Sequence, residues 1–170
     1  MLIRAEQLAD LAAIRRVNEE AFGRAAEADL VDRLRANHKA ILSLVAEDNG
    51  VIVGHILFSE VTVEVNPPSF NRFGKLIGLA PMAVTTARQR SGIGSQLVRA
   101  GLAELKGYEA AVVLGHPEYY PRFGFVPASR FGLKSEYDVR DEVFMALELT
   151  PNALAQCSGV ILYQAEFNEL

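Results

Sequence analysis

The stretch that decides the fold covers residues 79–105, LAPMAVTTARQRSGIGSQLVRAGLAEL. It opens with an apolar run that suits a buried strand ending at Val84, and polar residues then lead to a Gly-x-Gly at Gly92 and Gly94. Beyond Gly92 the apolar residues recur at steps of three, four and one, the period of one helix face. They are Ile93, Leu97, Val98, Gly101, Leu102 and Leu105. The stretch is therefore predicted to be a strand, a glycine turn and a helix.

The glycine turn is a candidate anion-binding site. The first turn of a helix has N–H groups without intrahelical partners and carries the positive end of the helix dipole. Gly92 and Gly94 have no Cβ, so an anion can approach the backbone, and Arg88 and Arg90 add positive charge nearby. These features suit a phosphate or pyrophosphate. The alternative is that the glycines only shape a tight connection between strand and helix.

Two common phosphate-binding motifs are excluded. No Gly-Lys-Ser/Thr follows the turn, so it is not the loop that binds nucleoside triphosphates. The dinucleotide fingerprint needs a third small residue where Leu97 stands, and an acidic residue about 20 positions further on, at the end of a strand, is also missing.

Two motifs instead resemble those of the GNAT N-acetyltransferase superfamily. Residues 89–94, QRSGIG, have the form Gln/Arg-x-x-Gly-x-Gly/Ala after an apolar strand, which is similar to the family's acetyl-coenzyme A signature. Residues 120–125, YPRFGF, resemble its second landmark, a tyrosine four residues before a Gly-Phe pair. The two motifs also occur in the family's order. The chain is therefore identified as a member of this superfamily, and the resemblance covers about residues 3–149.

The composition is that of an ordinary globular enzyme. The chain has 170 residues, 50% hydrophobic and 22% charged, and a net charge of −4 that argues against a nucleic-acid binder. No apolar run approaches the ~20 residues that span a bilayer, and the N-terminus does not read as a signal peptide. The single Cys157 cannot form an internal disulfide, so the cytoplasm is the expected compartment.

Hydrophobic periodicity predicts the remaining elements. Helices are expected over 10–22 and 27–36, and strands over 40–46 and 51–65, joined by a hairpin at Asn49-Gly50 and ended by Pro67-Pro68. The apolar run 110–114 reads as a strand buried on both faces, parallel to the strand 76–84 through a right-handed crossover. A short helix over 118–123 and strands at 2–4, 125–126, 143–149 and 160–163 complete the set.

This order of elements matches the α/β (α+β) fold of the resembled family. The expected architecture is a mixed, mostly antiparallel central sheet with one parallel strand–helix–strand crossover and flanking helices. Residues 1–150 are expected to form the acetyltransferase domain. Residues 151–170 are expected to be a C-terminal extension that adds a further strand to the same domain.

The resemblance implies how acetyl-coenzyme A binds. The pantetheine arm would take backbone hydrogen bonds from the strand that ends at Val84, and the pyrophosphate would lie on N–H groups of the turn. The implied cofactor-binding residues are Met82, Ala83, Val84, Gln89, Arg90, Ser91, Gly92, Ile93, Gly94 and Ser95. No metal is implied. Without the resemblance, residues 82–84 would read as ordinary core.

The resemblance also implies direct attack of a neutral amine on the thioester, with Tyr120 as hydrogen-bond donor or general acid to the leaving sulfur. The alternative for Tyr120 is a packing residue, and the adjacent Tyr119 is expected to point elsewhere. The base is left open among Glu60, His55 and His116, and the alternative for each is a structural or solvent-exposed role. His55 and Glu60 should lie on opposite faces of one strand. Many family members have asparagine near the position of His116, so the resemblance does not imply the contact that this asparagine makes to the coenzyme arm.

The acceptor is not specified by the sequence. The family binds it with the first two helices and their loop, here about residues 22–29, where the acidic Glu27 and Asp29 lie. A small amine, an aminoglycoside-like compound, a peptide N-terminus and a lysine side chain all remain open, as do a longer acyl group and a homodimer. The alternative functions are a non-catalytic acyl-coenzyme A-binding or sensing module, and a structural domain that binds no cofactor.

Overall fold

The computed structural model describes residues 1–65, 74–155 and 157–170. Over these residues the chain forms three α-helices and nine strands. In chain order they are β1 Leu2–Ala5, α1 Leu11–Phe22, α2 Ala26–Ala36, β2 Leu42–Asp48, β3 Val51–Glu64, β4 Leu76–Val84, α3 Ile93–Glu104, β5 Ala110–Leu114, β6 Val126–Pro127, β7 Leu133–Ser135, β8 Phe144–Glu148 and β9 Gly159–Leu162.

Most predicted elements are confirmed. The strands expected over 76–84 and 110–114 have those bounds as β4 and β5, and α1 and α2 begin within one residue of the prediction. The helix expected over 118–123 is a 3₁₀ helix, Tyr120–Phe123. The three-residue strand β7 was not predicted. Pro67-Pro68 lies outside the described residues.

The β2–β3 hairpin turns at the predicted dipeptide. Asn49 has φ 50° and Gly50 has φ 77°, and Asp48 pairs with Val51 across the two-residue loop. Positive φ at both central positions is the requirement of the type I′ turn, whose twist matches that of the strands it joins. The turn chemistry therefore sets the register of the hairpin.

The contacts divide the chain into two compact units. The first comprises Met1–Ser59, Ala80–Lys106 and Ala165–Leu170, and the second comprises Glu60–Leu79 and Gly107–Gln164. Strands β3 and β4 contribute residues to both.

In the first unit, β2 pairs antiparallel with β1 and with β3. Helix α1 packs on α2, and α3 packs on β1 and β2. The predicted apolar stripe of α3 is buried, with Leu97 and Val98 fully enclosed. A Cβ at Gly101 would lie 2.5 Å from the Phe58 ring, so glycine lets the helix approach β3 closely. This packing fixes where α3 begins.

In the second unit, β5 lies between β4, parallel to it, and β8, antiparallel to it. Strand β6 also pairs with β8, and β9 pairs antiparallel with β3 and parallel with β7. The expectation of a mixed, mostly antiparallel sheet with a parallel β4–α3–β5 crossover is confirmed. Within residues 151–170, β9 belongs to this unit and the 3₁₀ helix Ala165–Glu169 to the first.

Candidate functional site

The last residues of β4 lead through the short 3₁₀ helix Thr86–Arg88 into the glycine turn. Ala83 and Val84 are buried, whereas Met82 is half-buried. The N–H of Thr85 donates to the carbonyl oxygen of Val53 at 3.0 Å, which ties the end of β4 to β3. The position of the chain at the start of the turn is therefore fixed by its hydrogen bond to β3.

The turn depends on backbone conformations that glycine adopts easily. Gly92 is the residue before α3 and has φ 87° and ψ 0°, in the left-handed region, and Arg90 has φ 60°. A Cβ at Gly92 would meet no atom within 4 Å. Glycine is therefore favoured at position 92 by its backbone conformation, and the space beside it is open.

Two side chains of the turn form hydrogen bonds with backbone carbonyl groups of the residues that precede them. The amide nitrogen of Gln89 donates to the carbonyl oxygen of Val84 at 3.1 Å, and the Ser91 hydroxyl donates to that of Arg88 at 2.5 Å. Gln89 and Ser91, predicted as cofactor ligands through their backbone, thus also shape the turn.

The start of α3 offers backbone donors to a ligand. The Gln96 N–H donates to the carbonyl oxygen of Gly92 at 3.1 Å, whereas the N–H groups of Ile93 and Gly94 have no acceptor among the described residues. Gly94 lies in the first turn without a positive φ. Unpaired N–H groups at the positive end of a helix dipole form an anion site.

Two carboxylates from distant parts of the first unit hold the turn. Glu20 of α1 accepts the backbone N–H of Thr86 at 2.7 Å, and Asp48 pairs with the Arg88 guanidinium at 2.7 Å. The hydrogen bond from Arg88 lowers the pKa of Asp48. Asp48 therefore offsets part of the positive charge that Arg88 adds beside the turn. No local pattern could have revealed Glu20 or Asp48, since both contacts are long-range.

In the second unit, Tyr120 opens the 3₁₀ helix and is only 6% exposed. Its ring meets that of Phe125 edge to face, with centroids 5.8 Å apart. Burial raises the pKa of its phenol, so the hydroxyl stays protonated. That hydroxyl has no acceptor among the described residues. Tyr119, expected to point elsewhere than Tyr120, lies under the Arg122 guanidinium, whose Cζ is 4.5 Å from the ring centroid.

Of the base candidates, His55 is fully enclosed. Its Nδ1 lies 3.1 Å from the Asn18 amide nitrogen, and its Nε2 lies 2.9 Å from Ser43 Oγ. Asn18 must donate to Nδ1, so Nε2 carries the proton and donates to Ser43, which in turn donates to Glu6. Burial lowers the pKa of His55 to about 4, and the neutral ring fits this chain of hydrogen bonds. A substrate has no access to it.

The other two candidates are more accessible. Glu60 accepts the hydroxyl proton of Tyr108 at 2.8 Å, and Lys75 lies 3.9 Å away. Burial and this hydrogen bond raise the pKa of Tyr108 to about 12. His116 is exposed, and its carbonyl oxygen accepts the N–H of Tyr119.

Three further observations concern the cysteine, metal ligation and membrane spans. Burial raises the pKa of the Cys157 thiol, which disfavours the nucleophilic thiolate. Within the described ranges, no three His, Cys, Asp or Glu side chains are grouped so as to hold a metal ion. None of the helices formed by the described residues is long and apolar enough to cross a membrane.

Comparison with known proteins gives consistent results. The family model described as an acetyltransferase (GNAT) domain matches residues 39–127 of the chain. The uncharacterized N-acetyltransferase YhbS of Escherichia coli K12 is 35% identical over 171 residues, covering 99% of each chain. The uncharacterized N-acetyltransferase YjhQ of the same organism is 40% identical over 140 residues, covering 78% of this chain and 74% of its own.

Solved structures extend the comparison. The crystal structure of Escherichia coli YhbS in complex with CoA matches with a TM-score of 0.89 at 35% identity, covering 98% of this chain and 91% of that one. A GNAT family acetyltransferase from Brucella melitensis in complex with acetyl-CoA matches with a TM-score of 0.78 at 36% identity, covering 98% and 97%. Both structures contain the coenzyme.

Proposed function

The chain belongs to the GNAT acetyltransferase family, and we propose that it transfers an acetyl group from acetyl-coenzyme A to a primary amine. The observation that carries this proposal is the turn at Gly92, where unpaired N–H groups begin the helix that follows β4. The coenzyme complexes of the two relatives add support.

In this proposal the pyrophosphate accepts hydrogen bonds from backbone N–H groups of residues 89–95. The backbone of Met82, Ala83 and Val84 hydrogen-bonds the pantetheine arm. The support is that Ile93 and Gly94 have no other acceptor for their N–H groups among the described residues. The exposed Arg90 adds positive charge next to the anion.

The reaction begins when the neutral amine attacks the thioester carbon. The carbon–nitrogen bond forms, the carbon–sulfur bond breaks, and coenzyme A leaves as a thiolate. We propose that the Tyr120 hydroxyl donates a hydrogen bond to that sulfur. An alkyl amine with a pKa of ~10.4 is mostly protonated at neutral pH, so a base must first take one proton from it. We propose that Glu60 or His116 accepts that proton, directly or through water, and that the second proton, lost by the nitrogen as the amide forms, leaves by the same route.

The acceptor is proposed only as a class: an amine of a small molecule, a peptide or a protein. We also propose that the reaction takes place in the cytoplasm, on the ground that the single cysteine requires no oxidising compartment. We also propose that the chain forms a homodimer, which sedimentation of the purified protein tests.

Release of free thiol from acetyl-coenzyme A, measured with a panel of amines and peptides, tests the function. We expect at least one acceptor to release thiol at a rate proportional to enzyme, with the acetylated product identified by mass spectrometry. Binding of acetyl-coenzyme A without transfer to any member of a broad panel would favour the rival function, a non-catalytic acyl-coenzyme A-binding module.

A further inference from the structure

Gly115, at the end of β5, leaves the space in which the Tyr120 ring lies. An ideal Cβ at this glycine would stand 2.2 Å from Cε2 of Tyr120, 2.7 Å from Cδ2 and 3.2 Å from Cζ. Ordinary contacts of a Cβ atom begin at 3.4 Å. The ring therefore rests on bare backbone at a distance that any side chain would forbid.

The backbone of Gly115 does not by itself demand glycine. Its φ is not positive, and its N–H donates to the carbonyl oxygen of Val143 at 2.9 Å as a strand residue would. Alanine fits such a conformation without strain. The requirement for glycine here comes from the neighbouring ring.

The Tyr120 ring has little room to move elsewhere. Three aromatic rings surround it, with centroids at 5.1 Å for Tyr119, 5.8 Å for Phe125 and 6.3 Å for Phe123. Its backbone N–H also donates to the carbonyl oxygen of His116 at 3.4 Å. The position of the ring, and with it that of the hydroxyl, is thus set between Gly115 and these aromatic neighbours.

We propose that Gly115 is a positioning residue for acetyl transfer: its missing side chain fixes where Tyr120 presents its hydroxyl group. This inference rests on the proposed role of Tyr120. Restoring a 3.4 Å contact to a Cβ at position 115 would require the ring edge to retreat by about 1.2 Å. A displacement of about 1 Å at a reacting group can cost ~10²-fold in rate.

The test begins with Gly115→Ala. We expect kcat to fall by about ten- to a hundredfold, while KM for acetyl-coenzyme A changes by less than about twofold, because the cofactor ligands of the β4–α3 turn are untouched. Gly74→Ala is the matched control. A Cβ there would lie 1.9 Å from a carboxylate oxygen of Glu109, but that side chain is flexible and can rotate away. Its kcat should equal that of the parent.

A double-mutant cycle separates positioning from a general structural effect. If Gly115 acts only through Tyr120, Gly115→Ala combined with Tyr120→Phe should be about as slow as Tyr120→Phe alone. Losses that multiply would overturn the inference. If Tyr120→Phe keeps the parent rate, the role of Tyr120 itself is wrong; if Tyr120→Phe is slow while Gly115→Ala keeps the parent rate, only the role of Gly115 is wrong.

Stability supplies a readout that does not need activity. Introduced into the parent, Gly115→Ala should lower the melting temperature. Introduced into Tyr120→Leu, it should lower the melting temperature much less, because leucine places no ring edge against the new Cβ. This cycle tests the contact on which the inference rests, even if Gly115→Ala is too unstable to assay. An equal loss in both backgrounds would show that the clash does not involve Tyr120.

Discussion

At the scale of single residues, Tyr120 combines deep burial with a hydroxyl that has no acceptor among the described residues. Full proton transfer from a tyrosine with a pKa of ~10 to a thiolate of pKa ~8.5 is already uphill by about 2 kcal/mol. Burial raises the pKa of Tyr120, which makes full transfer less favourable still. Tyr120 is therefore better suited to donate a hydrogen bond than to lose its proton.

Tyr120→Phe tests this role. The substitution removes one oxygen and keeps the ring, so the melting temperature and the affinity for acetyl-coenzyme A should change little. We expect kcat to fall by ~10²-fold, the lower end of the range for general acid catalysis, since the hydrogen bond strengthens only as the thiolate forms. The measurement is steady-state turnover under conditions where chemistry is rate-limiting. Turnover within twofold of the parent would contradict the proposal.

His55 illustrates a buried titratable residue with a structural role. Its ring connects Asn18 of α1 with Ser43 of β2, and Ser43 continues the chain to Glu6. Burial would raise the pKa of Glu6, but hydrogen bonds from Arg35 and Ser43 lower it overall. The network thus holds a neutral imidazole next to an ionised carboxylate inside the first unit.

The neutral state of His55 predicts how stability depends on pH. Its pKa is about 4 in the folded chain and 6.5 when unfolded, so the unfolded state binds more protons between these values. The contribution of neutral His55 to the free energy of unfolding is complete above about pH 6.5 and is lost as the pH falls towards 4. Between pH 7 and 5 the loss should be about 2 kcal/mol.

Chemical denaturation of the parent and His55→Gln across pH 5–7 measures this contribution. The variant should be less stable at pH 7, because it disturbs the hydrogen-bond chain, but its stability should change less with pH. Above pH 5 unfolded carboxyl groups are mostly ionised, so they affect both proteins little. Parallel curves for the two proteins would rule out His55 as the origin of the slope.

At the scale of elements, the junction of β4, the glycine turn and α3 carries the cofactor proposal. The strand and the helix are local structures with strong patterns, and Gly92 provides the left-handed residue between them. Contacts from α1 and the β2–β3 hairpin then hold the turn through Glu20 and Asp48.

Gly94→Val probes the proposed pyrophosphate site. Gly94 has no positive φ and lies within α3, so valine should leave the fold intact while placing a branched side chain where the phosphates approach. We expect the dissociation constant of coenzyme A, measured calorimetrically, to rise at least about tenfold, or about 1.4 kcal/mol.

The control for this variant is Ala103→Val, an exposed position near the other end of the same helix. It introduces the same β-branched side chain into the same helix, at a cost in helix propensity of ~0.6 kcal/mol, whereas Gly94→Val carries no such cost because glycine is the poorer helix former. Its affinity for coenzyme A should equal that of the parent. A folded Gly94→Val protein with unchanged affinity would place the anion site elsewhere.

At the scale of the whole molecule, acetyl-coenzyme A should stabilise the folded chain. A ligand at 100 times its dissociation constant adds about 2.7 kcal/mol if it binds only the native state. For a chain of 170 residues this corresponds to a rise in melting temperature of roughly 5–10 °C. Thermal melting with and without the ligand measures it, with adenosine as a control that lacks the pyrophosphate. An unchanged melting temperature at millimolar acetyl-coenzyme A would contradict the proposed binding.

The sequence by itself determined the elements whose causes are local. Hydrophobic periodicity placed α1, α2, β4 and β5 to within about a residue. Asn49-Gly50 set the hairpin because both residues tolerate positive φ. The motifs at residues 89–94 and 120–125 identified the family, since a turn that binds phosphate through its backbone must carry glycine at particular positions.

Only the tertiary structure decided the features that depend on distant contacts. The three-residue strand β7 exists because it pairs with β9. The two strands are far apart in the sequence, since β7 ends at Ser135 and β9 begins at Gly159. Asp48 pairs with Arg88 across a distant part of the chain, and burial between α1 and β2 makes His55 a neutral structural residue rather than a base. Likewise, a glycine at position 115 reads as unremarkable until the Tyr120 ring is seen to occupy the place of its Cβ. Burial and contact distance are set by the packing of elements, and no local pattern encodes them.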